Sequence, residues 1–134
     1  MTRNQSIVMI VDDDDSIRKS VRRLMKSYGF AVETFASAEE FLASDRVDKT
    51  SCLILDVQMP GMNGLELQKS LIASGRVIPI VFITAYSDDR ARAEALKAGA
   101  VSYLAKPFDD EVLINCIHTA LQHAGGDASQ PTLP

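Results

Sequence analysis

At 134 residues, with 46% hydrophobic and 24% charged residues, the chain has the length and composition of one globular domain with its own core and little room for a second. A net charge of −4 argues against a nonspecific nucleic-acid binder, which needs a basic surface to neutralise phosphates, and no apolar run approaches the span of a bilayer. The amino terminus, MTRNQSIVMIVDD, carries an apolar run too short for a signal-peptide core and passes straight into acid, so the expectation is a cytoplasmic protein with neither membrane nor nucleic acid as a direct partner.

The first predicted element is a strand over Ile7 to Val11, apolar at every position and therefore buried on both faces. Four consecutive aspartates, Asp12 to Asp15, follow it. A helix comes next, its apolar stripe formed by Ile17, Val21, Leu24, Met25 and Tyr28 at helical spacing, and Gly29 suits the left-handed residue that ends such a helix. Phe30 to Phe35 mixes polar and apolar positions, as a strand at a sheet edge does. Cys52 to Leu55 and Ile78 to Ile83 are again continuously apolar, with Pro79 near a strand start where its missing N–H costs least. Gly99 ends the fourth helix, and Val101 to Leu104 reads as a second edge strand. A last stripe runs through Val112, Leu113, Cys116, Ile117, Ala120 and Leu121. From Gly125 the sequence GGDASQPTLP has linker composition, so a domain over residues 1–124 and a flexible tail over 125–134 are expected. Cys52 and Cys116 have no metal-ligand spacing and read as buried free thiols.

Strand and helix alternate five times, which predicts an α/β doubly wound parallel sheet with five helices. With the second and fifth strands at the edges, the flavodoxin-like order 2-1-3-4-5 fits best, and the first and third strands flank the switch point. Ligands of such sheets lie beyond the carboxyl ends of the strands. Asp12 and Asp13 follow the first strand, Asp56 the third, Thr84 the fourth and Lys106 the fifth.

Each residue has a plain structural reading when taken alone. An aspartate can cap a helix or start a turn, a strand-end threonine can satisfy backbone, and a lysine can be a solvated surface group. Taken together they describe phosphoryl transfer. Carboxylates from two adjacent strands make an oxygen-rich site for a hard divalent cation such as Mg²⁺, which offsets their mutual repulsion. A carboxylate is a nucleophile toward phosphorus, and a lysine and a hydroxyl can receive the phosphoryl oxygens. Four aspartates in a row leave the register of the metal pair open by one. Asp12 and Asp13 directly follow Val11, which leaves Asp14 or Asp15 to cap the helix.

The segments IVDDD, LILDVQMPGMNGLEL, FITAY and YLAKPF, in that order from about Ile7 to Leu121, resemble the receiver domain of bacterial two-component response regulators, in particular the FixJ-like branch with its CheY-like fold. The resemblance implies that residues 1–124 form a receiver whose Asp56 accepts a phosphoryl group from a histidine kinase or histidine phosphotransfer protein. It implies that Asp12, Asp13, Asp56 and the main-chain carbonyl of Gln58 hold Mg²⁺, that Thr84 and Lys106 bind the phosphoryl group, and that Tyr103 is the switch aromatic. It also implies a cis Lys106–Pro107 bond, although sequence alone equally allows a trans proline opening the last helix. Tyr86, two residues beyond Thr84, is bulky for that position. In this branch a DNA-binding output domain commonly follows; the sequence stops after the tail, so the expectation is either a stand-alone receiver or a domain excised from a longer regulator, with the Met1 start favouring the former.

A phosphohydrolase of the haloacid-dehalogenase type is the main competitor, but such enzymes resemble one another in a second aspartate two residues after the nucleophile. That position is Gln58, and without an acid there a leaving alcohol is not protonated. The other alternative is an interaction module with a vestigial site. Arg18, Lys19, Arg22, Arg23 and Lys26 are expected to form a basic face for the kinase or phosphotransfer partner. Arg90, Arg92, Lys97 and Tyr103 are expected to form a second face, for a phosphorylation-dependent homodimer or an output protein, with Tyr103 turning inward from solvent on activation. His118 and His123, on the last helix, read as ordinary surface or boundary residues.

Overall fold

The computed structural model describes residues 6–126, with side chains to Gln122. Its strands are β1 (Ile7–Val11), β2 (Ala31–Phe35), β3 (Cys52–Asp56), β4 (Ile80–Thr84) and β5 (Ser102–Ala105). Its α-helices are α1 (Asp15–Ser27), α2 (Ala38–Ala43), α3 (Gly64–Ala73), α4 (Asp89–Lys97) and α5 (Asp110–Gly126), with a 3₁₀ turn at Val47–Lys49. All pairings are parallel and the order is β2-β1-β3-β4-β5, the doubly wound order expected.

Two apolar layers sandwich the sheet. Met9, Val11, Leu53, Leu55 and Phe82 point toward Phe41, Leu67, Leu71 and Ala95 of α2, α3 and α4. Val8, Ile10, Ile54, Val81 and Ile83 point toward Val21 and Met25 of α1 and Leu113, Ile117 and Ala120 of α5. Alternate residues therefore serve opposite layers, which is why β1, β3 and β4 are apolar throughout. The register is what aligns the site: Val11 pairs with Leu55, Asp56 with Ile83 and Thr84 with Ala105, so the carboxyl ends of four strands finish on the same edge of the sheet, close to one another.

Some expectations change at element ends. Gly29 and Gly99 have φ of 87° and 109°, as expected of residues ending α1 and α4. Tyr28, however, is 50% exposed: α1 ends at Ser27, and Tyr28 turns its N–H back to Met25, where helical periodicity no longer applies. Val112 is also exposed, on the flank of the stripe centred on Leu113, Ile117 and Ala120. Cys52 is buried but Cys116 only partly so. Burial pushes the Cys52 thiol up to about 12, with Cys116 adding a smaller push. The backbone of α5 continues through Gly126, two residues beyond the expected boundary at 124, and residues 127–134 of the expected tail lie outside the described residues.

Candidate functional site

The four aspartates divide between two tasks. Asp12 is fully buried at the end of β1; its Oδ1 accepts the Asp14 N–H at 2.9 Å and its Oδ2 accepts from Lys106 Nζ at 3.0 Å. Asp13 is exposed beside it. Asp14 caps α1, accepting the N–H groups of Ser16 and Ile17, which leaves Asp15 in the first turn, where a negative charge suits the helix dipole. Asp15 pairs with Lys19 and Arg18, each at 3.0 Å, and Lys19 holds its carboxyl below the usual range.

Asp56, the last residue of β3, is 4% exposed. Burial, and then the charge of Asp12, push its pKa up to about 7, against the lowering influence of Lys106 and of the Gln58 N–H. Lys106 Nζ lies 3.8 Å from Asp56 Oδ1, and its bond to Pro107 is cis. One carboxylate oxygen each from Asp12, Asp13 and Asp56 fall within 4.8 Å of one another. With Gln58, Tyr86 and Lys106 these acids line an open cavity of about 320 Å³. Hard oxygen donors, one exposed and two buried, fit a divalent cation that keeps part of its water shell. Asp12, Asp13 and Asp56 are therefore the carboxylates that could hold Mg²⁺, and Gln58 lines the same cavity.

Thr84 is fully buried and does not line this cavity. Its hydroxyl accepts the Tyr86 N–H and donates to the Tyr86 carbonyl, both at 3.1 Å. Tyr86 itself is 70% exposed, so its bulk leans into solvent. Tyr103 departs from expectation. Rather than facing solvent it is 8% exposed, its ring centroid 6.1 Å from that of Phe82, and its hydroxyl is buried without a hydrogen-bond partner. The apolar ring gains more from the α4 side of the core than the edge strand offers outside, and burial raises its pKa.

Arg18 is the second departure. Expected on the outer basic face, it turns inward, its side chain 18% exposed, and Nη1 donates to the Asp12 carbonyl at 2.7 Å. It ties the end of β1 to the first turn of α1 and sets a cation beside the acidic run. Its spacing, six residues after Asp12, was the available signal, but helical periodicity describes faces and not the reach of a long side chain. Arg22, Arg23 and Lys26 are exposed. Gly64, which local pattern does not mark, is the first residue of α3, inside the Asn63–Glu66 capping box, and a Cβ there would run into the Asp56 carbonyl. His118 is exposed beside the Phe30 ring, and the side chain of His123 lies outside the described residues. Among the described residues no helix is long and apolar enough to cross a membrane.

Residues 8–118 match the model of the response regulator receiver domain. Nodulation protein W of Bradyrhizobium diazoefficiens is 43% identical over 88% of this chain and 52% of its own length. The transcriptional regulatory protein FixJ of Rhizobium meliloti is 41% identical over 87% of this chain and 57% of its own. Among solved structures, the response regulator StyR superposes with a TM-score of 0.86 at 45% identity, over 93% of this chain and 63% of that one. The chain thus spans about half the length of these curated relatives. Phosphorylation-dependent signalling is the known role of the family, whose members bind Mg²⁺ at an acidic pocket, receive phosphoryl groups from histidine kinases and act on output domains. On fold, site and kinship together, the chain belongs to the response regulator receiver domains, in the FixJ-like group.

Proposed function

We propose that this receiver takes a phosphoryl group onto Asp56 in a Mg²⁺-dependent reaction and passes the change to the α4, β5 and α5 surface. The observation that carries the reading is the convergence of Asp12, Asp13 and Asp56 with Lys106 at the carboxyl ends of β1, β3 and β5. An ionised Asp56 oxygen attacks phosphorus, forming the acyl phosphate. The bond from phosphorus to the donor breaks, and its electron pair leaves with the donor. Lys106 favours the charged form of Asp56 and then faces the phosphoryl oxygens. Mg²⁺, when bound, supplies the charge that offsets the clustered carboxylates and the incoming phosphoryl group.

Thr84 then exchanges partners. The phosphoryl group draws its hydroxyl from the Tyr86 backbone toward Asp56, and the loop between β4 and α4 follows. Tyr103 is already inside, so the loop movement changes the surroundings of its unpartnered hydroxyl and not whether its ring is buried. Arg90, Arg92 and Lys97, exposed on α4, lie on the surface that would meet a second receiver or an output partner. Arg22, Arg23 and Lys26 offer positive charge to a histidine kinase or phosphotransfer protein, where it acts chiefly on the association rate. The location proposed is the cytoplasm.

Intact-mass measurement after incubation with Mg²⁺ and acetyl phosphate tests the core of this reading. One phosphoryl group is expected on the wild type and none with chelator or in Asp56→Asn. Labelling of Asp56→Asn at the wild-type rate would overturn the assignment.

A further inference from the structure

We propose that Glu39, on α2 and outside the acidic cavity, is a positioning residue that holds the loop carrying the Gln58 carbonyl, and so sets the divalent-cation affinity of the site without touching the ion. The inference rests on the metal reading above, with the Gln58 carbonyl as a ligand. Residues 57–63 connect β3 to α3. At the foot of this loop, the Gly64 N–H donates to the Val57 carbonyl at 2.9 Å, and the chain closes tightly against the Asp56 carbonyl. Gln58 is held only weakly from within, its N–H 3.4 Å from Asp56 Oδ1. The far arm of the loop is gripped from another element: Glu39 Oε2 accepts the Met62 N–H at 2.8 Å, from 23 residues upstream.

The same carboxylate oxygen sits in a notch made by the preceding residue. Gly61 has φ of 74°, and a Cβ there would lie 2.7 Å from Glu39 Oε2, so glycine supplies both the backbone turn and the space. The usual work of a glutamate at a helix start is done by its neighbour: Glu40 Oε1 accepts the Ala36 N–H and its own N–H donates to Ser37 Oγ. Glu39 is thus left to the loop. Its base is rigid, because α2 is pinned by Phe41, fully buried and edge-on to Phe35 at 5.3 Å. The Met62 N–H also holds the Glu39 carboxyl below its ordinary value.

Glu39→Ala, Glu39→Asp and Glu39→Gln separate this role from a general structural one. Mg²⁺ affinity is read by calorimetry with the metal alone, and the Mg²⁺ dependence of phosphorylation by acetyl phosphate is followed by intact mass. Glu39→Ala is expected to weaken Mg²⁺ binding about tenfold, as loss of an outer support to a ligand does. Saturating Mg²⁺ should restore phosphorylation, and the thermal midpoint of the metal-free protein should barely move. Glu39→Asp, which keeps the charge but loses one methylene of reach, should behave like Ala. Glu39→Gln, whose amide oxygen can accept the same N–H, should bind Mg²⁺ nearly as the wild type does. Wild-type affinity in Glu39→Ala and Glu39→Asp would overturn the proposal, as would a Glu39→Gln defect equal to theirs. Asp13→Asn is the control for the underlying reading: if it binds Mg²⁺ like the wild type, the metal assignment fails, independently of the Glu39 series.

Discussion

Replacing Asp56 by Asn should stabilise the metal-free protein above neutral pH. Folding places this carboxyl beside the buried Asp12 and pushes its pKa from 3.8 to about 7, by burial first and Asp12 second. A carboxyl whose pKa rises on folding binds its proton more tightly in the folded protein than in the unfolded chain. The resulting stability is fully present below pH 3.8 and is lost as pH rises through about 7. Each pH unit between the two values is worth about 1.4 kcal/mol, so the interval from 3.8 to about 7 sets an upper limit of about 4 kcal/mol. Water in the open cavity and relaxation around Lys106 reduce this, and about 2 kcal/mol is the expected gain. Asn preserves the shape and the Oδ1 acceptor for the Gln58 N–H, while Lys106 keeps Asp12 as its partner. Urea denaturation with chelator, across pH 4 to 8, should show the variant drawing ahead of the wild type as pH rises, with little difference at the acid end. Added Mg²⁺ should narrow the gap by stabilising the folded wild type. A gap that does not vary with pH, or an Asn variant less stable at pH 8, would refute the reasoning.

Lys106→Met removes the cation that serves both Asp12 and Asp56. Breaking a buried pair costs about 3–5 kcal/mol, and because Asp56 can take up a proton the expected loss is about 2–3 kcal/mol at pH 8 and less at pH 5, measured by the same denaturation series without metal. Tyr103→Phe deletes a buried hydroxyl that has no partner, so thermal denaturation of the unphosphorylated protein should show equal stability or a gain of up to about 1 kcal/mol; a comparable loss would reveal a partner for that hydroxyl.

What the sequence determined by itself was whatever depends on local pattern. Continuous apolar runs at β1, β3 and β4 and mixed ones at β2 and β5 encode a sheet covered on both faces, with its edges. A parallel sheet read in that order already places Asp12, Asp56, Thr84 and Lys106 at one end. Tertiary structure decided how long or edge-placed side chains spend their reach. Helical periodicity assigned Arg18 outward, yet its guanidinium bends back to the Asp12 carbonyl, because a flexible side chain seeks the strongest acceptor nearby and not the face its Cα marks. Alternation put Tyr103 on an edge strand, but only packing against Phe82 decided that its ring lies inside. Glu39 shows no motif linking it to Met62, since a contact across 23 residues exists only once α2 and the β3 to α3 loop are folded side by side. Asp14 rather than Asp15 became the cap of α1 for the same reason: once Asp12 is buried at the end of β1, the chain geometry leaves Asp14 as the residue whose carboxylate meets the first free N–H groups of the helix.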